Sequence, residues 1–115
     1  MTDNLQVNNQ EVNFIDSLEV ANMTGKRHDH LLRDIRVYIG YLSELDISSS
    51  DYFIESSYTD AKGESRVCFL ITSKGCGVIS NSMTAKKGIL FTVSYVKRFE
   101  GLSSLENKKV AGENE

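Results

Sequence analysis

The sequence lacks any hydrophobic run that approaches the roughly 18 residues needed to span a bilayer, which argues against a membrane protein. Its amino end lacks the basic and apolar segments of a secretory signal, so we expect a cytoplasmic protein. The 2 cysteines, Cys68 and Cys76, are too few for a disulfide scaffold, and we expect buried, unreactive thiols. With 115 residues, the chain has room for one small domain.

A strongly basic overall charge is also absent, since the formal net charge is -3 at pH 7. This removes the simplest signature of a nucleic-acid-binding chain. The charge is unevenly spread, however: residues 26–36 combine four cations with two aspartates and both histidines, and residues 86–98 carry four cations and no carboxylate. Two basic segments in an acidic chain predict one or two surfaces that face anions, and an ordinary mixed surface is the alternative.

Hydrophobic spacing and turn residues predict an α+β domain with four helices and one hairpin. We expect a flexible arm over residues 1–13, a folded domain over residues 14–102 and a polar tail over residues 103–115. The predicted elements begin with a short helix, with Ser17 as its N-cap and Gly25 as its end, which is followed by a helix over residues 28–46. Strands over 53–58 and 66–71 come next and are joined by a turn. The last two elements are a helix capped by Thr72 that runs to Asn81 and a helix over 85–102.

The order of these elements is that of a winged-helix-like domain: a helix-turn-helix, a two-stranded antiparallel hairpin as the wing, and two C-terminal helices. Many small α+β domains share this layout. The apolar arc of the last helix covers about 200°, which is wider than packing on a single surface requires. We therefore expect this helix either to be wedged between two elements or to contact a second copy of the chain as a homodimer.

The most distinctive block of the sequence is Gly25-Lys26-Arg27-His28-Asp29-His30, which follows Ser17-Leu18-Glu19-Val20-Ala21. Together with residues 52–58, 70–76, 83–92 and 95–99, these blocks resemble the phage regulatory protein Rha family over about residues 15 to 102. The chain departs from the usual family pattern at Thr84-Ala85, where members often have Thr-Gly. The resemblance implies a regulator from a temperate phage or prophage that acts on DNA in the cytoplasm of the bacterial host.

The predicted DNA-contact residues are cations and a histidine of the second helix and its preceding turn, with a secondary pair near the wing. They are Lys26, Arg27, His30, Arg33 and Arg36, together with Lys62 and Arg66. Lysine and arginine contact phosphates, and an arginine can also contact a base edge. The alternative is a solvated helix face on which Asp29 pairs with Arg33 and His30 with Asp34 at i,i+4 spacing. Near the wing, the alternative is that the charges protect a sheet edge from pairing.

We predict no catalytic or metal site, and therefore no enzymatic activity and no cofactor. His28 and His30 at a helix start would point about 200° apart, and the spacing of Cys68 and Cys76 is not that of a zinc knuckle. No Gly-rich phosphate loop, carboxylate dyad or serine triad is present. We expect His28 to be a capping or partly buried residue near the turn and His30 to be exposed, and a protonated histidine would attract phosphate below about pH 6.5.

A rival hypothesis is a modulator that binds a host or phage protein, such as an antirepressor or an inhibitor of a host factor, and does not contact DNA. The net charge and the acidic segments on both sides of the basic helix favour it. The two hypotheses differ in their salt dependence, because each phosphate contact adds about −0.9 to the slope of log affinity against log salt concentration.

Overall fold

The computed structural model describes the backbone of residues 13–114 and the side chains of residues 13–102. It confirms a mixed α+β domain with four helices and an antiparallel sheet over these residues. The predicted arm over residues 1–13 lies outside the described residues, except for its last position. The elements in chain order are β1 (Ile15–Asp16), α1 (Ser17–Thr24), α2 (His28–Glu44), a 3-10 turn (Ser49–Asp51), β2 (Phe53–Thr59), β3 (Ser65–Ile71), α3 (Ser73–Asn81) and α4 (Ala85–Asn114).

The sheet has three strands in the order β1-β3-β2. Strands β2 and β3 form the predicted hairpin, with Phe53 opposite Ile71 and Thr59 opposite Ser65. Strand β1, which the sequence did not predict, pairs with the other edge of β3 and places Ile15 opposite Ile71. A strand of two residues is too short to show the alternating pattern by which strands are recognised. As a result β3 is the central strand, and its Phe69 and Ile71 are among the most buried side chains.

Helix α1 is capped by Asp16 and not, as predicted, by Ser17. The Asp16 carboxylate accepts a hydrogen bond from the Glu19 backbone N–H at 3.0 Å. Because the chain enters α1 directly from β1, Ser17 is turned into the interior and its exposed fraction is 0%. At the other end, Gly25 ends the helix as predicted, with a left-handed φ of 74° that favours glycine.

The core lies where α1, α2 and the sheet meet α3 and the start of α4. Helix α2 directs Leu31, Ile35 and Leu42 into it, in agreement with the predicted amphipathic pattern. The other core residues are Ile15, Val20, Ala21, Phe53, Phe69, Ile71, Cys76, Ile79 and Phe91.

Helix α3 packs so closely on the start of β2 that its third residue has no room for a side chain. A Cβ added to Gly75 would lie 2.3 Å from the Tyr52 carbonyl oxygen and 2.9 Å from Ile71. The helix begins at the predicted cap, since the Thr72 hydroxyl oxygen accepts a hydrogen bond from the Gly75 backbone N–H. Gly75 is therefore required by the approach of two backbones.

Helix α4 is longer than predicted, because it continues to Asn114 instead of ending at Leu102. A polar composition predicts a tail, but it is also compatible with an exposed helix, and no proline interrupts this stretch. Among the described helices, none combines the length and the apolar character needed to cross a bilayer.

Candidate nucleic-acid interface

The first turn of α2 and the far end of the β2–β3 hairpin enclose one groove. The rings of His28 and Tyr58 meet edge to face across it, with centroids 6.0 Å apart. The structure thus brings Arg66 of the hairpin next to the start of α2, the helix that carries His30, Arg33 and Arg36. The groove is lined by His28, Asp29, Leu32, Tyr58, Asp60, Arg66 and Val67.

Two cations of the turn before α2 are paired with carboxylates of the helix itself. Lys26 Nζ lies 2.8 Å from Asp34 Oδ2, and Arg27 Nη2 lies 2.9 Å from Asp29 Oδ2. Arg33 makes a longer contact of 3.8 Å with Asp34. The predicted i,i+4 pairs of Asp29 with Arg33 and of Asp34 with histidine are absent from the described side chains, because both carboxylates turn towards the preceding loop. The expected neutralisation therefore occurs through different partners.

The remaining two predicted residues of α2 differ in their surroundings. The guanidinium carbon of Arg36 lies 5.4 Å from the centroid of the Phe69 ring, so this side chain packs over the sheet as a cation–π contact. His30 is half-buried and not fully exposed as predicted. Its backbone N–H donates to the Asp29 carboxylate at 2.9 Å.

A single aspartate organises the turn of the hairpin. Asp60 Oδ1 accepts hydrogen bonds from the backbone N–H groups of Lys62 and Glu64, both at 2.9 Å, and Gly63 takes a left-handed φ of 84°. Asp60 Oδ2 accepts from Arg66 Nε at 2.9 Å, and this bond lowers the pKa of the Asp60 carboxyl and raises that of Arg66. Arg66 is thus held within the turn, whereas the Lys62 side chain is exposed and pairs with no carboxylate among the described residues.

Behind the groove, a buried serine joins three elements. Ser17 Oγ accepts a hydrogen bond from the Phe69 backbone N–H at 3.0 Å and lies 2.8 Å from His28 Nε2. Burial lowers the pKa of His28, although the charges of Asp16 and Asp29 act in the opposite direction. This hydrogen bond joins the Ser17 hydroxyl to the His28 ring, and the tautomer of the ring decides which of the two atoms donates. His28 is partly buried near the turn, as predicted, and it positions α2 on α1 and β3.

Within the described residues, no group of three or more His, Cys, Asp or Glu side chains could hold a metal ion. Both thiols are buried as predicted, and burial raises the pKa of Cys76 to about 12, so its reactive thiolate form is scarce at neutral pH.

Sequence reasoning missed the roles of three polar residues, Asp60, Asp34 and Ser17, that organise this region. Asp60 follows a recognisable pattern, since an aspartate shortly before a glycine often closes a turn through its own side chain. Asp34 gives no such signal, because its partner Lys26 lies eight residues earlier, across a loop. Ser17 resembles an N-cap in sequence, and only the presence of β1 reveals its other role.

Comparison with known proteins assigns the chain to a family. The family model of the phage regulatory protein Rha matches residues 15–104, which is most of the chain. The chain belongs to the phage regulatory protein Rha family. The resemblance seen in the sequence is thereby confirmed. The residues that line the groove and the predicted site residues, of which only Arg66 lines the groove, lie within the range that the Rha model matches.

Two relatives extend the comparison. This Rha-family chain is 49% identical over 87 residues to the SPbeta prophage-derived putative antirepressor protein YoqD of Bacillus subtilis (strain 168). The aligned segment covers 76% of the chain and 35% of YoqD. It is 28% identical over 101 residues to an uncharacterized protein of Haemophilus influenzae, which covers 84% of the chain and 55% of that protein. The chain therefore spans 35% and 55% of the lengths of these relatives. No solved structure matches it.

Proposed function

We propose that this Rha-family chain is a phage or prophage transcription regulator that binds duplex DNA in the manner of a winged-helix domain. The observation that carries the proposal is the groove in which the first turn of α2 meets the end of the β2–β3 hairpin. In helix-turn-helix proteins the second helix enters the major groove with its amino-terminal residues near the base edges. Here that helix is α2, and the hairpin turn beside it would contact the neighbouring backbone as a wing.

The topology supports this arrangement. A short loop separates α1 from α2, and the hairpin follows in the chain. Strand β1 pairs with β3 of the hairpin and leads directly into α1, so this pairing holds the start of the helix pair against the hairpin. Ser17 of α1 also forms one hydrogen bond to α2, through His28, and one to β3, through the backbone of Phe69. A rigid spacing between helix and wing is what contact with a regular duplex requires.

The ion pairs on this surface do not prevent contact with phosphate. Exposed salt bridges contribute only about 0–1 kcal/mol, so a phosphate can replace the carboxylate partner at small cost. The side chains of Arg27 and Arg33 are 72% and 68% exposed and are the most accessible of the paired cations. Lys26 is held more firmly, with 31% exposure. Arg33 makes the longer carboxylate contact of the two arginines, 3.8 Å against 2.9 Å for Arg27. We therefore expect Arg33, with Lys62 on the hairpin turn, to contribute most to phosphate binding.

The test is fluorescence anisotropy of a short labelled random duplex, titrated with the protein at about 50 and 200 mM salt. We expect the affinity to fall steeply with salt and the Arg33→Ala/Lys62→Ala variant to bind about tenfold more weakly at the lower salt, since two phosphate contacts are lost. The matched control is Lys87→Ala/Lys97→Ala, which removes the same charge from α4 and should bind like the wild type. Equal losses in both variants, or no binding by the wild type at low salt, would contradict the proposal.

A further variant should increase the affinity for DNA instead of decreasing it. Asp34→Asn removes the carboxylate that holds Lys26 at 2.8 Å and Arg33 at 3.8 Å. Because both cations are then free to contact phosphate, we expect about threefold tighter binding at low salt. A change that only alters the fold would weaken binding, so the direction of the effect separates the two explanations.

One observation favours a second candidate, a modulator that binds another protein. The outer face of α2 towards its carboxyl end exposes Val37, Tyr41 and Leu45, with exposed fractions of 45%, 59% and 68%. Their i,i+4 spacing places them in one row, and exposed aromatic and aliphatic side chains are typical of protein contacts more than of phosphate contacts. The name of YoqD, a putative antirepressor, agrees with this candidate.

Prophage induction separates the two candidates. The protein is expressed in a lysogen of the phage that encodes it, and the released phage are counted. If protein binding underlies the function, Val37→Asp/Tyr41→Asp should abolish an effect that Arg33→Ala/Lys62→Ala leaves intact. The reverse pattern would support DNA binding.

A further inference from the structure

A row of side chains along α4 points away from the rest of the molecule. Ile89, Val93 and Val96 are 64%, 50% and 41% exposed, whereas the neighbouring aromatic residues of α4 pack inward on the core. Lys86 precedes this row and Glu100 follows it, and both are exposed. We call these five residues, at positions 86, 89, 93, 96 and 100, the α4 stripe.

The spacing of the α4 stripe is that of a coiled-coil seam. Its members follow one another at intervals of three, four, three and four residues, which keeps them on one side of a helix that pairs with another helix. The three central positions are β-branched aliphatic side chains, and such residues seldom form an exposed row on a monomer without a partner.

The charges at the two ends of the stripe identify the partner. Lys86 lies seven residues before Val93 and Glu100 lies seven residues after it. If two copies of α4 cross in antiparallel orientation at Val93, each Lys86 faces the partner's Glu100, and this contact occurs twice. In a parallel pair, Lys86 would face the partner's Lys86, which is repulsive. A surface that is complementary to itself in this way is what a two-fold symmetric contact requires.

We propose that α4 forms an antiparallel pair with α4 of a second copy of this chain, centred on Val93 and bounded by two ion pairs between Lys86 and the partner's Glu100. Residues 86–100 span about 21 Å of helix, and so short a seam buries less area than a standard interface. Interfaces of this size are typical of weak or transient contacts, so we expect a weak dimer. The stripe does not include any residue that lines the groove beside α2, so the pairing leaves the groove uncovered.

The experiment is sedimentation equilibrium of the full chain over about 5 to 500 µM, without DNA. We expect the wild type to pass from monomer to dimer in this range and Val93→Glu to remain a monomer, because a carboxylate at the two-fold axis meets its own copy. The matched control is Val37→Glu, which places the same change on an exposed valine of α2 and should dimerise like the wild type. Circular dichroism confirms that each variant keeps its helices.

The charged ends provide the sharper test. Lys86→Glu alone and Glu100→Lys alone should each weaken the dimer about tenfold, and the double variant Lys86→Glu/Glu100→Lys should restore it, since the pairs are rebuilt with reversed sign. Three results would overturn the proposal: a monomer at every concentration, a dimer that Val93→Glu does not disrupt, or a double variant no better than the single ones. None of these results depends on whether the protein binds DNA.

Discussion

The two helical pairs of the molecule are held together by different kinds of contact. Helices α1 and α2 meet through a buried polar junction, in which Ser17 bonds to His28 and to the backbone of Phe69. Helices α3 and α4 meet through a close approach of backbones, since a Cβ on Gly88 would lie 2.7 Å from the Ser80 carbonyl oxygen, with part-buried hydrogen bonds from Ser80 to α4 beside it. The first contact is therefore sensitive to a lost hydrogen bond or an added proton, and the second to an added methyl group.

The largest effect is expected at the close contact. Gly88→Ala places a methyl group against a backbone oxygen that cannot move without shifting α3, so we expect a loss of about 2–3 kcal/mol in the free energy of unfolding. Urea denaturation followed by circular dichroism measures it. Gly40→Ala in α2 is the matched control, because an added Cβ meets no atom within 4 Å there. The control should gain about 0.5–1 kcal/mol from helix propensity. If both variants lost stability, or both gained it, the close approach of α3 and α4 would not explain the effect of Gly88→Ala.

The next effect concerns the two serines of the junctions. Ser17→Ala leaves the Phe69 N–H without an acceptor in the interior, which we expect to cost about 2 kcal/mol. Ser80 donates to the Gly88 carbonyl oxygen, which also accepts from Thr92 at 2.8 Å. Ser80→Ala should therefore cost less than about 1 kcal/mol. The same denaturation measurement applies, and equal costs would show that the two junctions do not differ as described.

The smallest effect is a pH dependence confined to the polar junction. Burial lowers the pKa of His28 in the folded state, so the unfolded chain binds the proton more readily. The contribution of His28 to stability is complete above its ordinary pKa of about 6.5 and is lost as the pH falls below it towards the folded-state value. His28→Gln should therefore show a smaller decrease in melting temperature than the wild type between about pH 7.5 and 5.5. Parallel decreases would exclude His28 as the titrating group.

The elements that the sequence predicts well are those that local chemistry determines. The hairpin is recognisable from alternating strands and turn residues, and the structure places it within one residue of the predicted bounds. The start of α3 is recognisable because Thr72 is a favourable cap. Strand β1 is not, since Ile15 and Asp16 form a strand only because the distant β3 offers a free edge.

The candidate site shows the same division. That cations cluster at the start of α2 is visible in the sequence, but their partners are not. The pairing of Lys26 with Asp34 depends on how the loop after α1 folds back, and the packing of Arg36 on Phe69 depends on where β3 lies. Sequence spacing along one helix therefore predicts which charges are present and fails to predict which of them are free.

The two-residue strand β1 also has a consequence for the order of folding. Its pairing joins Ile15 to Ile71 and closes a loop that contains α1, α2 and β2, whereas the hairpin joins neighbouring segments. The entropy lost on closing a loop grows with its length, so we expect the hairpin to form early and β1 to dock late. Because β1 leads directly into α1, the helix pair reaches its final place beside the hairpin only in this last step. We therefore expect the distance between α2 and the hairpin to be set in the last step of folding.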